Sequence, residues 1–350
     1  MCPHIASAIQ EIKKTTTFVT WSERSRPFSA YLSLEMNKGV QYWVASAVTL
    51  SALFIPDRAT LASTAASPNR GVSLEAVASG NGRFVAVGPS GAVAISSNGG
   101  EFWTLLRGDQ AADFHAIAFG SNTFVAVGKC GLIDTSSDGF SWNVRSSGTS
   151  RNLLSVAYGA GRFVAVGAGG TICLSSDGVQ WKIAKSSSGH LLAALAYGHG
   201  MFVAVGEHGT ILTSADGVKW RAQQSPASSY YYAIAYGNGR FVAAGDTIAT
   251  STDGITWRNQ PSVAGGSVTA LSYGCGQFVA AAPRQVLTSI DGLSWKTRAS
   301  FKGVFEGVGC CDDRLVAVGW RRDQCLVLLS QDGLAWREPV IEQAVFQARR

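Results

Sequence analysis

The sequence predicts an all-β protein, a seven-bladed β-propeller of four-stranded antiparallel blades. Three observations predict it. A tryptophan recurs at a near-constant interval. The chain is rich in glycine and poor in charge. Each repeat also carries a short run that is apolar on both faces.

The tryptophans Trp103, Trp142, Trp181, Trp220, Trp257, Trp295 and Trp336 are separated by 39, 39, 39, 37, 38 and 41 residues, and they account for seven of the ten in the chain. Four strands of about five residues with their turns fill such a period, and four to eight such units close a ring. Glycine contributes 40 of 350 residues and charged residues 15%. That is too apolar for disorder and too glycine-rich for a helical protein. The run Phe163-Val164-Ala165-Val166 has no polar side, so neighbouring sheets must cover both its faces.

Each tryptophan closes a turn of the form Ser-x-Asp-Gly-x-x-Trp, with Asp138, Asp177, Asp216, Asp253, Asp291 and Asp332 at the acidic position. Blade one is a variant, Ser96, Asn98, Gly100 and Trp103, with one extra residue. The Asp and Ser side chains can take hydrogen bonds from backbone N–H groups just ahead, and Gly supplies a positive φ. The Trp ring then fills space between sheets. These carboxylates are therefore structural. A tyrosine column (Tyr158, Tyr197, Tyr236, Tyr273) and an arginine column (Arg83, Arg162, Arg240) repeat as well, and both read as structural.

Residues 36–65 read as a secretory leader. Lys38 follows Met36, Trp43 to Ile55 is uncharged and mostly apolar, and cleavage fits after Ala62 or Ala65. Residues 1–35 form an upstream extension or a misassigned start, 66–71 a linker, 72–340 the propeller and 341–350 a C-terminal tail. The leader implies a secreted or periplasmic protein in an oxidising compartment. One disulfide is expected, from Cys310 or Cys311 to Cys325. No CxxC pair occurs, so no metal site or other cofactor is expected. No apolar run is long enough for a membrane span. The net charge of +6 is scattered without a basic stripe, which argues against nucleic acid. The chain reads as a monomer.

The turn resembles the Asp-box, or BNR repeat, of the sialidase superfamily, whose usual form is Ser-x-Asp-x-Gly-x-x-Trp. Six copies here lack one residue between Asp and Gly, and blade one alone keeps the usual spacing. The resemblance covers residues 72 to 340. The whole repeat is also similar, more loosely, to the Ycf48/HCF136 group of photosystem II assembly factors. In Asp-box propellers the Asp turns lie on the face opposite the active site. The resemblance thus directs attention to the connections between blades and to those between second and third strands.

On that face one column breaks the repeat: Glu75, His115, Leu154, Ala193, Tyr232, Thr269 and Glu306. If the ring closes, Glu306, Glu75 and His115 stand on three adjacent inner strands, a group able to bind a cation or polar ligand or to act as acid and base. The second-to-third-strand loops add Lys129, Glu207, His208, Arg284, Trp320, Arg321, Arg322 and Asp323. The blade connections add Asp109, Asp113, Arg151, His190, Tyr230 and Tyr231. Exposed Tyr, Trp and Arg suit contact with a protein or a glycan.

Three functions fit this pattern. The first is a non-catalytic binding propeller for protein or carbohydrate. The second is a sialidase-like glycosidase. That reading wants three arginines, a Tyr–Glu pair, an Asp acid/base and an Arg-Ile-Pro motif, and the motif is absent. Sialidases also have six blades against seven here. The third is an assembly factor for a membrane complex, for which Arg321 and Arg322 are the only hint of an arginine patch.

Overall fold

The computed structural model describes residues 72–107, 112–261, 266–311, 313–322 and 324–343. The leader at 36–65, the extension before it, the linker, Asp109 and Asp323 lie outside them.

The described residues form seven sheets arranged as a seven-bladed β-propeller of antiparallel blades. The inner strands are Ala76–Gly80, Phe114–Gly120, Leu153–Gly159, Leu192–Gly198, Tyr231–Gly237, Ala270–Gly274 and Val304–Cys311. Each packs against the next in order, and the seventh packs against the first, so the ring closes.

The core lies between blades. In the second strand of blade three, Arg162–Gly167, side chains alternate between two neighbours. Phe163 and Ala165 pack with Val125 and Val127 of blade two, and Val164 and Val166 pack with Phe202 and Ala204 of blade four. All four of these blade-three residues are fully buried. Burying one such large apolar side chain is worth about 1.5–3 kcal/mol. A two-sided apolar strand is therefore what a blade needs and what a lone sheet could not tolerate.

The turns are built by their own side chains. In blade three, Ser175 Oγ donates to Asp177 Oδ1 at 2.9 Å and accepts from Gly178 N at 2.9 Å. Asp177 Oδ1 also accepts from the N–H groups of Val179 and Gln180 at 2.8 and 2.9 Å. Trp181 Nε1 donates to the Gly178 carbonyl at 2.9 Å. Gly178 sits at φ 77°, which a side chain would strain. Blade one keeps the scheme despite its extra residue, with Asn98 Oδ1 accepting from Ser96 Oγ and from Phe102 N, both at 3.0 Å.

The tyrosine column links the blades. Each ring lies against the glycine that ends the inner strand of the preceding blade: Phe119 on Gly80, Tyr158 on Gly120, Tyr197 on Gly159, Tyr236 on Gly198 and Tyr273 on Gly237. A Cβ on any of these glycines would overlap the ring. The pattern stops in the last two junctions. Cys310 takes the ring's place against Gly274, and Ser79 Oγ donates to the Cys310 carbonyl at 2.8 Å.

Closure departs from the repeat. The seventh sheet has three strands, Val304–Cys311, Arg314–Arg321 and Gln324–Ser330, with a single bridge from Leu329 to Arg337 where a fourth would run. The chain then crosses to blade one, where Val340–Gln343 pairs in parallel with Phe102–Arg107. Residues 341–343, expected as tail, thus belong to the sheet. Glu101 clamps the seam, accepting from Arg314 at 2.6 Å and from Arg337.

The expected disulfide to Cys325 does not form. Cys310 lies opposite Leu315 and Cys311 opposite Arg314, at one end of the strand Arg314–Arg321. Cys325 lies opposite Trp320 at the other end. Five residues of extended strand, at about 3.3 Å each, separate Leu315 from Trp320, far beyond the reach of a disulfide. Cys325 is a free thiol.

Candidate functional site

The two faces differ as the repeat requires. The turns between first and second strands sit beside the Ser-Asp-Gly-Trp turns. Arg83 Nη1 donates to the Asp138 carbonyl at 3.3 Å and stacks over Phe140, and Gln277 Nε2 donates to the Asp332 carbonyl at 2.8 Å. The arginine column is therefore structural. On the opposite face the second-to-third-strand turns bond the blade connections, as in Lys129 N to Asp113 O at 2.9 Å and Glu207 N to Leu191 O at 3.2 Å.

The variable column has a backbone cause. In blades two, three, four, five and seven the pairing of inner and second strands slips by one residue, and the extra residues are His115, Leu154, Ala193, Tyr232 and Glu306. Each is a β-bulge, a device that re-aims one side chain at the end of a ladder. Glu75 and Thr269 hold the same place in blades one and six, where their N–H groups donate to Val87 and Ala281. Leu154 and Ala193 are buried, so blades three and four close this column with apolar side chains.

Glu75 and His115 meet. His115 Nδ1 lies 3.0 Å from Glu75 Oε2, with the imidazole 4% exposed and the carboxylate 22%. The other ring nitrogen, Nε2, is buried without a hydrogen-bond partner among the described residues. Glu306 is half-buried on the bulge next to them, and Gly307 abuts the backbone of Glu75 and Ala76. The structure thus brings Glu75 and His115 into contact and sets Glu306 on the neighbouring inner strand. An imidazole oriented by a carboxylate, with a second carboxylate on the next bulge, can accept or donate hydrogen bonds to a polar ligand.

An aromatic platform stands on blade five. Tyr230 and Tyr232 stack with centroids 4.4 Å apart and planes 16° from parallel. Burial, and then the Asp246 carboxylate that takes its hydrogen bond, push the Tyr232 hydroxyl up to about 12. It therefore stays a donor at neutral pH. Asp246 is steadied by Ser267 Oγ at 2.8 Å. Tyr231, expected on the rim, is instead fully buried, with its hydroxyl 3.2 Å from Ser225 Oγ. Tyr231 thus points into the core between Tyr230 and Tyr232, which share the outer side.

Other rim residues disperse. Arg284 is exposed in a two-residue turn at φ 63° and Arg322 is exposed at φ 47°. Arg321 is held by Glu338 through two bonds of 2.7 and 3.0 Å, so it adds no free cation to an arginine patch. Trp320 is 39% exposed. Arg151 Nη1 donates to the Gly169 carbonyl at 2.7 Å, and Lys129 pairs with Asp113 at 3.5 Å.

One cluster escaped the sequence. His190, Glu207 and His208 bring their ligand atoms within 4.8 Å of one another. His190 Nδ1 lies 3.7 Å from Glu207 Oε1, and the two imidazoles meet edge to face at 5.2 Å. Spacing alone could not reveal it, because His190 comes from a blade connection and the other two from a turn of the next blade.

No protein-family model matches the sequence, and no curated protein matches it. Solved structures do. The chain is similar to YCF48 bound to a D1 peptide, at 17% identity and TM-score 0.60, over 75% of this chain and 92% of that one. It is similar to YCF48 from Cyanidioschyzon merolae, at 18% identity and TM-score 0.58, over 75% and 96%. It is equally similar in shape to the WD40 propeller of Doa1, at 15% identity and TM-score 0.61, over 74% and 93%. At these identities the likeness is one of fold, and the fold hosts many functions. Among the described residues no helix is long and apolar enough to cross a membrane.

Proposed function

We propose that the chain is a non-catalytic binding propeller that holds a polypeptide segment on the face opposite the Ser-Asp-Gly-Trp turns. One observation carries this reading. The repeat is nearly uniform, yet one position at the end of the inner strand carries a different side chain in most blades: His115, Tyr232 and Glu306 on bulges, Glu75 and Thr269 at the same place without one, against buried Leu154 and Ala193. An acidic arc and a stacked tyrosine pair on one rigid rim suit an extended peptide, with its N–H groups on carboxylates and a side chain on the aromatic platform. YCF48, which shares the fold, has been solved with a D1 peptide. The secreted or periplasmic location, by a leader beginning at Met36, is part of the proposal. A mature N-terminus upstream of Met36 would refute it.

A displayed peptide library panned against the purified chain tests the reading. Peptides are expected to enrich, and to lose at least tenfold in affinity on Glu75→Gln or Tyr232→Ala. Lys219→Ala, on the other face, should leave them unchanged. Enrichment that ignores Glu75 and Tyr232 would overturn the site. Selective binding on a glycan array in place of peptides would overturn the ligand class. Hydrolysis of a fluorogenic sialoside, lost in Glu75→Gln, would overturn the non-catalytic assignment.

A further inference from the structure

Two cysteines break the repeat, and they break it at the same point in space. Cys275 occupies the turn between the first two strands of blade six at φ 51°, where Ala160, His199 and Asn238 stand in blades three to five. Cys310 occupies the aromatic column of blade seven. Their sulfurs lie 3.2 Å apart, closer than two unbonded sulfurs ordinarily rest, and both residues are partly exposed. The five earlier junctions are held by a ring on glycine, and this one has no ring.

We infer that Cys275 and Cys310 form a disulfide that staples blade six to blade seven. The step is thiol–disulfide exchange with a small-molecule or protein disulfide oxidant. The Cys275 thiolate attacks the oxidant and releases one of its sulfurs as a thiol. The Cys310 thiolate then attacks Cys275 Sγ and releases the other. The pair loses two protons and two electrons, and the oxidant gains them. The movement required is small, from 3.2 Å to a bond of about 2.05 Å.

Incubation of the full chain with oxidised glutathione, alkylation and non-reducing digestion test this. The expected result is one linked peptide pair containing Cys275 and Cys310, with Cys130, Cys173 and Cys325 alkylated only after unfolding or as free thiols. Reduction should lower Tm by on the order of 5 °C. Cys275→Ser, in a partly exposed turn, should abolish both the link and the reductant effect, while Cys325→Ser should leave both. Free Cys275 and Cys310 after oxidation, or a link to a different cysteine, would overturn the inference.

A separate observation carries a second site. We propose that His190, Glu207 and His208 bind a zinc ion. Two imidazoles and a carboxylate are a donor set that zinc takes, with a fourth position left to water or to a ligand. Bonds of about 2.1 Å place tetrahedral ligands roughly 3.4 Å apart, so the 3.7 Å between His190 and Glu207 needs little closing. Glu207 is already oriented, because Oε1 accepts from Leu191 N at 2.7 Å, a bond of the kind that fixes metal-bound carboxylates. Titration of zinc chloride into chelator-treated full chain should show one equivalent bound. His190→Ala and His208→Ala, both at exposed positions, should each weaken it at least tenfold, and His199→Ala on the other face should not. Zinc binding that survives both variants, or none in the parent chain, would overturn this site.

Discussion

At the scale of single residues the turn carboxylates were the most legible feature. Their donors and acceptors all fall within one short window, so seven consecutive letters contain the whole interaction. Asp177 shows what each contributes: one oxygen gathers Ser175 Oγ and two backbone N–H groups. Asp177→Ala should strand those donors in a tight turn, much as loss of a helix cap does, at a cost of about 1 kcal/mol measured by urea unfolding. Asp177→Asn should cost clearly less, because Asn98 already does the same work in blade one with its amide oxygen. Equal losses for the two variants would mean that charge, not acceptor geometry, holds the turn. Tyr231 and Tyr232 mark the limit of such reading. Strand alternation puts neighbours on opposite faces, but a bulge shifts the register by one, and nothing in the local sequence announces the bulge.

At the scale of elements, the blade and its two-sided second strand could be read, but the contact between blades could not. The tyrosines were visibly repetitive, and the glycines were too. That each ring rests on the glycine of the preceding blade follows only once the blades are stacked. Gly159→Ala should therefore be destabilising although its backbone is ordinary, because the new methyl meets the Tyr197 ring. Overpacking of this kind costs about 1–3 kcal/mol. Removing the ring as well should recover part of that loss, so Gly159→Ala and Tyr197→Ala should be non-additive in a double-mutant cycle of denaturation midpoints. Additive effects would show that the two do not touch. The His190, Glu207 and His208 cluster escaped for the same reason: its members belong to two elements that meet only across a blade junction.

At the scale of the whole molecule, the ring, its seven-fold count and the meeting of blades seven and one were legible, while the path of the last strand was not. Blade seven has the full turn, so a fourth strand was the natural expectation. Pro339 explains the departure, since it cannot donate to a ladder, and the chain leaves after the single Arg337 bridge to pair with blade one. Truncation after Glu338 should accordingly lower Tm and broaden the unfolding transition, by opening the seam that Glu101, Arg314 and Arg337 also hold. The carboxylates of the turns act together in acid. Asp138, Asp177, Asp216, Asp253, Asp291 and Asp332 are all held below the usual value of 3.8, chiefly by backbone N–H bonds, Asp253 down to about 2. Glu101 is lowered too, by its bonds to Arg337 and Arg314. Above about pH 5 folded and unfolded chains are equally ionised at these groups, and their contribution is constant. As pH falls from about 4 toward 2 the unfolded chain takes up protons that the folded chain refuses, so stability must drop through that window. Urea midpoints measured at neutral pH, pH 4, pH 3 and pH 2 should be level at first and then fall steeply, and Asp253→Asn should flatten the fall. A midpoint unchanged down to pH 2 would show that the turns do not hold their carboxylates ionised.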